Sequence, residues 1–111
     1  MEKSIKLLKQ GFESSSETTD EFLSFYRTFK SEFTKELKKI GAEKIQIGKG
    51  HFYISGFFTK GEQVWYFNFG DVRWSTGSLL YRTAKHYTDY TGGSNQYVDF
   101  TNNLVSEMRL S

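Results

Sequence analysis

Residues 51–69, HFYISGFFTKGEQVWYFNF, constrain the fold of this 111-residue chain more than any other stretch. Two runs dense in aromatic and β-branched side chains flank Thr59-Lys60-Gly61-Glu62, a polar break centred on a glycine. Phe, Tyr and Trp pack well across a pleated surface. The pattern therefore predicts two antiparallel strands, about His51–Phe58 and Gln63–Phe69, joined by a tight hairpin. In the first, Phe52, Ile54 and Phe58 share one face and Tyr53 and Phe57 the other, with Gly56 marking a bulge or a close backbone approach. In the second, Trp65, Phe67 and Phe69 oppose Val64 and Tyr66. An isolated hairpin is marginal in water, so more strands and a covering layer must come from elsewhere. Both faces are partly apolar. The sheet is thus either covered twice or keeps its second face for a partner.

The rest of the chain supplies the missing elements. From Thr19 to Ile40, Phe22, Tyr26 (with Phe25 beside it), Phe29, Phe33, Leu37 and Ile40 recur every three or four residues, the stripe of an amphipathic helix. Thr18 and Glu21 have capping-box spacing, and Lys38, Lys39 and Gly41 suit the helix end. Residues 3–12 allow a short helix that Gly11 and Ser14-Ser15-Ser16 weaken, so residues 1–17 read as a loosely attached segment. Glu43–Ile47 alternates as a strand, and Gly48-Lys49-Gly50 reads as a turn. Ser78–Ala84 supplies a fourth strand. Lys85–Asn95 is polar and aromatic, and Gly92-Gly93 argues against a regular element there. A final helix is expected from Asp99 or Phe100 to Arg109, with Asp99 capping it. The expectation is one α+β domain over residues 1–111. It has a four-stranded, mainly antiparallel sheet, a long helix in the N-terminal half and a C-terminal helix.

Composition excludes several classes. The absence of cysteine removes disulfides, thiolate chemistry and cysteine zinc sites. No run of about 18 apolar residues predicts a membrane span, and MEKSIKLLKQGFESSS resembles neither a signal peptide nor an anchor. Fifteen basic and 13 acidic side chains leave a formal charge of +2, without the concentrated basic footprint of a strong nucleic-acid binder. Lys30, Lys35, Lys38 and Lys39 gather on the long helix, but Glu32 and Glu36 interrupt them, so that face reads as ordinary solvated surface.

No phosphate loop, dinucleotide fingerprint, calcium loop or paired-histidine metal motif is present, and no cofactor or metal is expected. The polar cluster that invites a hypothesis is Asp71, Arg73, Arg82, Lys85, His86 and Asp89, with Trp74, Tyr87, Tyr90 and Asn95 nearby. Guanidinium groups suit phosphate or carboxylate partners, and aromatics interleaved with cations suit base stacking. The plain alternative is that Asp71 pairs with Arg73 or Arg82 while Tyr87 and Tyr90 cover the sheet. A catalytic version would use His86 as base, Asp89 or Asp71 to orient it, and Arg82 against developing negative charge. That spacing is not diagnostic and no activated nucleophile accompanies it, and the expectation is a protein that is not an enzyme. Trp65, Trp74, Tyr53 and Tyr66 are the aromatics suited to anchoring a protein partner.

The segments GHFYISGFFTKGEQVWYFNFGDVR and LLYRTAKHYTDYTGGSNQY resemble small proteins carried by plasmids and phages of Gram-positive bacteria. The resemblance spans about residues 18–98 and rests on Gly50–Ile54, Asp71-Val72-Arg73 and Arg82-Thr83-Ala84-Lys85. It implies a cytoplasmic protein of the bacterial host, carried by a mobile element. Proteins of that setting include inhibitors of defence nucleases, anti-CRISPR proteins among them, which share no single fold. The expected function is therefore non-catalytic binding of a protein partner, such as a host nuclease, through Arg73, Trp74, Arg82, Lys85, His86 and Tyr90. Direct DNA or RNA binding by the same surface is the alternative, and a small hydrolase or nuclease is the least favoured reading. Sequence leaves the oligomeric state open.

Overall fold

The computed structural model describes residues 1–10, 20–72 and 77–110. Two helices, α1 (Glu2–Gln10) and α2 (Asp20–Lys39), precede five strands and a short last helix. The strands are β1 (Glu43–Lys49), β2 (Ile54–Lys60), β3 (Gln63–Phe69), β4 (Ser78–Ala84) and β5 (Gln96–Asp99), followed by α3 (Leu104–Glu107). They form one antiparallel meander in the order β1-β2-β3-β4-β5. The class is α+β, as the periodicities predict. The sheet has five strands, however, not four.

The additional strand replaces the start of the expected C-terminal helix. Gln96–Asp99 pairs with β4 from Tyr81↔Gln96 to Ser78↔Asp99. Val98 points inward and Tyr97 outward, an alternation too short to stand out in the sequence. Asp99 is exposed in this strand and caps nothing; Asn103 precedes α3 and makes no side-chain capping bond. Phe100, Leu104, Val105 and Met108 still enter the core, but from an irregular segment with a single helical turn.

The α2 stripe meets one face of the meander, here called the inner face. Phe22, Phe25, Phe29, Phe33 and Leu37 are its buried positions, so Phe25 takes the inward place beside Tyr26. Tyr26 is half-buried and donates its hydroxyl to the Ile47 carbonyl of β1 at 3.2 Å. Opposite the stripe lie Ile54 and Phe58 of β2, Trp65, Phe67 and Phe69 of β3, Leu79 and Tyr81 of β4, and Val98 of β5. Phe29 sits centrally, stacked on Phe33 with ring centroids 5.0 Å apart and edge-on to Phe69 at 5.9 Å. Phe67 meets Phe33 edge-on at 4.9 Å, and Phe69 meets Phe100 at 4.8 Å. Offset and edge contacts of this kind add about 0.5–1.5 kcal/mol each beyond the area they bury.

Local chemistry fixes the ends of these elements. Gly41 takes a left-handed φ of +89°, and the Ala42 and Gly41 amides donate back to the Leu37 and Lys38 carbonyls at 3.0 and 3.1 Å. This is a Schellman end, with buried Ala42 against Leu37 as its apolar contact. Thr18 of the expected capping box lies outside the described residues. The β2–β3 hairpin closes on Lys60↔Gln63 around Gly61-Glu62. β2 itself starts at Ile54, later than expected, because Phe52 adopts a φ of +58° that turns its ring into the core. Gly56 marks a close approach: a Cβ there would stand 1.9 Å from the Gln46 carbonyl oxygen. The bulge is in the partner, β1, between Glu43 and Gln46.

α1 docks along α2 with Met1, Ile5, Leu7 and Leu8 packed against the core and one carboxylate fixing its start. Glu32 Oε1 accepts from the Ser4 amide at 2.8 Å and from the Ser4 hydroxyl, while Oε2 accepts from the Lys3 amide at 3.2 Å and lies 3.7 Å from the terminal ammonium. Burial alone would raise the Glu32 pKa, but the Ser4 hydroxyl, the two amides and the ammonium outweigh it and leave it below the ordinary value. Residues 11–17 of the expected loose segment lie outside the described residues.

The Phe stripe is the main source of stability in this arrangement. Phe29→Ala should cost about 3–5 kcal/mol in urea unfolding, as complete truncation of a fully buried Phe does. Phe29→Leu should cost clearly less. Equal and small losses for both would place Phe29 outside the core.

Candidate functional site

The outer face carries a second, smaller apolar cluster. Phe57, Tyr66 and Ala84 are buried there, with Val64, Leu80 and Tyr87 packed against them. Register explains the set: Phe57↔Tyr66 is a direct cross-strand pair, and Val64↔Ala84 and Tyr66↔Arg82 follow on β3 and β4. None of the three helices contributes a residue to this cluster. Residues 85–95 do, folding back from the end of β4 as a strap across the sheet.

Aromatic contacts and polar clamps hold the strap. Tyr87 lies 5.5 Å from Phe57 and donates its hydroxyl to the Lys44 carbonyl of β1 at 2.8 Å. Burial raises the Tyr87 pKa above the usual phenol value. Tyr90 meets Phe57 and Tyr66 edge-on at 5.6 and 5.7 Å. Asp89 is buried and accepts from the Lys85 amide at 2.9 Å, the Thr91 amide at 3.0 Å and the Thr91 hydroxyl at 3.2 Å. The Lys85 amide and then the Thr91 amide hold its carboxyl below the usual carboxylate range. Gly92 is required for steric reasons: a Cβ there would come within 2.4 Å of the Thr83 carbonyl oxygen and 2.9 Å of Asp89 Oδ2. The pair Gly92-Gly93 therefore lets the strap approach β4.

Arg82 is absorbed into the same construction. Its guanidinium lies 4.6 Å from the centre of the Tyr66 ring, donates to Asn95 Oδ1 at 3.0 Å and also donates to the Tyr90 carbonyl oxygen. This side chain ties the strap to β4. His86 is exposed, and its Nδ1 faces the Thr88 amide at 3.2 Å and the Thr88 hydroxyl at 3.0 Å. Asp89 spends its oxygens on Lys85 and Thr91, and the His86 ring nitrogen facing the turn spends itself on Thr88. The pair is not arranged as a hydrogen-bonded base and orienter.

The remaining expected residues do not converge on this place. Asp71 follows β3, at the sheet end where Ile54 pairs with Phe69, whereas Lys85, His86 and Asp89 follow the opposite end of β4. The separation is about 20 Å at roughly 3.4 Å per strand residue. Arg73 and Trp74 lie outside the described residues. Trp65 is buried on the inner face, Tyr66 is buried beneath the strap, and Tyr53 is 40% exposed. Tyr90 is 60% exposed along its free edge.

One candidate was not anticipated. Tyr97, on β5, is 64% exposed, directly across from half-buried Leu80 and beyond the reach of the strap. A groove of about 370 Å³ opens beside it, lined by Tyr81, Gln96, Asp99, Glu107 and Arg109. The four-residue alternation Gln96-Tyr97-Val98-Asp99 is too short to have signalled it. No helix among the described residues is long and apolar enough to cross a membrane. No protein-family model matches the chain, and neither the curated proteins nor the solved structures contain a significant match to it.

The strap makes a pH-dependent contribution whose sign follows from Asp89. A carboxylate with a lowered folded-state pKa stabilises above its unfolded pKa of about 3.9 and loses that contribution as pH falls through the folded value. Asp89→Asn should therefore lower the urea midpoint at neutral pH, and the gap from the parent should close below about pH 4. A gap that stays constant into acid would show that the charge on Asp89 is irrelevant.

Proposed function

We propose that the chain is a non-catalytic binding module that grips a protein partner through the tyrosine-bearing part of the outer face. The observation that carries this reading is the exposure of Tyr90 and Tyr97, at 60% and 64%, on backbone held by the sheet and its strap. A tyrosine has few rotatable bonds, so an aromatic already fixed at its base offers contact area at low entropic cost. Half-buried Leu80 lies between the strap and Tyr97, and exposed Lys85 and Asn95 provide a polar rim. That composition, an aromatic and aliphatic centre with polar margins, is the one protein interfaces use.

The resemblance to small plasmid- and phage-borne proteins supports a finer reading, in which the partner is a host defence nuclease and binding inhibits it. Nucleic-acid binding by this same face is the weaker reading. Arg82 is committed to Tyr66, Asn95 and Tyr90, which leaves Lys85 as the accessible cation of the expected set among the described residues.

Affinity capture tests the proposal. A tagged chain should retain a protein partner from nuclease-treated host lysate, and binding of that partner, measured with purified components, should weaken tenfold or more in Tyr90→Ala/Tyr97→Ala. Tenfold corresponds to about 1.4 kcal/mol, within the range of one anchoring aromatic. The double variant should melt somewhat lower, because Tyr90→Ala removes the edge contacts with Phe57 and Tyr66, but should remain folded at the temperature of the assay. Unchanged affinity in the folded variant would remove the outer face from the binding account.

A further inference from the structure

The surface of α2 opposite its Phe stripe carries charge that the sequence makes look neutralised. Arg27, Ser31, Thr34 and Lys38 follow one another at helical spacing on the ridge facing away from the sheet, and exposed Lys30 and Lys35 flank them. Arg27 to Lys38 spans about 16 Å at 1.5 Å per residue. Glu32 and Glu36 fall within this stretch, but both are spent elsewhere. Glu32 turns to the Lys3 and Ser4 amides and the terminal ammonium of α1, and Glu36 pairs with Lys39 at 3.2 Å. Among the described residues, Arg27, Lys30, Lys35 and Lys38 make no ion pair. The docking of α1 thus engages Glu32 and Lys39 engages Glu36, so neither carboxylate pairs with a cation of the ridge, although both line the hollow beside Arg27 and Lys35.

We propose that this ridge is a docking face for the sugar-phosphate backbone of a nucleic-acid duplex. Its chemistry is cations with hydroxyls between them, the donor set that fixes proteins on phosphates irrespective of base sequence. Among the described residues, the large exposed hydrophobic side chains, Tyr53, Tyr90 and Tyr97, all belong to the sheet and its loops. The ridge therefore lacks the apolar face that a lipid-surface helix buries and the aromatic anchor of a protein hot spot. It also lacks the stacking platforms on which single strands are held. The face is separate from the tyrosine surface, on the other side of the helix-on-sheet stack, and does not depend on it.

Fluorescence anisotropy with a labelled duplex of about 20 base pairs tests this. Four phosphate contacts predict affinity falling about 100-fold between about 50 and about 200 mM salt. Arg27→Gln/Lys30→Gln/Lys35→Gln/Lys38→Gln should bind more than tenfold more weakly at the lower salt and lose most of the slope. Lys44→Gln/Lys60→Gln, on the sheet, and Tyr90→Ala/Tyr97→Ala should bind as the parent does. If the quadruple variant melts early, Lys35→Gln/Lys38→Gln carries the test, with a salt slope shallower by about two. Absence of binding at low salt overturns the proposal, as does full binding by the ridge variants. Displacement of the duplex by polyglutamate as effectively as by unlabelled duplex would overturn it in favour of an acidic protein surface. Equally tight binding of a single strand of the same length would also overturn it.

Discussion

Burial of the α2 phenylalanines against β2 and β3 is the interaction on which the rest of the molecule depends. A helix of 20 residues with Thr, Ser and four Phe in it gains little from intrinsic propensity and is held by what its apolar side covers. A meander of short strands needs one face sealed for the same reason. Each element supplies what the other lacks, and Phe29, Phe33, Phe67 and Phe69 are where they meet. β5 and α3 extend that seal through Val98, Phe100 and Leu104. Once the inner face and the Phe stripe are consumed in this way, two broad surfaces remain: the outer face of the sheet and the outer ridge of α2.

The outer face is closed only in part, and polar chemistry decides where closure stops. The strap has few apolar groups of its own, so it is held by Asp89 at its own turn, Arg82 from beneath and the Tyr87 hydroxyl at β1. These side chains have the chemistry of an active site and use it internally. A carboxylate accepting two backbone amides offsets part of the cost of ordering a glycine-containing loop. The strap ends before β5, and Tyr97 stands clear beyond it. The surface proposed for binding is thus bounded by the limit of a structural device.

Legibility in the sequence followed the range of the contacts involved. The α2 stripe and the β2–β3 hairpin were readable because their periods, 3.6 and 2, recur within a single segment. β5 was not, because four residues cannot establish an alternation and the neighbouring Phe100, Leu104 and Val105 imitate a helical face. Phe52 was assigned correctly to the core but within a regular strand, since a left-handed turn at a phenylalanine leaves no compositional mark. For the candidate site, Tyr90 and Lys85 were legible as accessible, whereas the role of Arg82 was not. Its partners Tyr66 and Asn95 are brought together only by strand pairing and the strap. Glu32 is the clearest case of the same limit. Sequence placed it among helix lysines, and the amides that occupy it lie 28 and 29 residues away.

Amide hydrogen exchange at Lys85 and Thr91 measures most directly whether the strap is part of the folded structure that presents Tyr90. Both amides donate to Asp89. They should exchange as slowly as the paired amides of β4, and at a rate set by the same opening of the sheet. Exchange at the rate of an unstructured loop, with β4 still protected, would contradict the account.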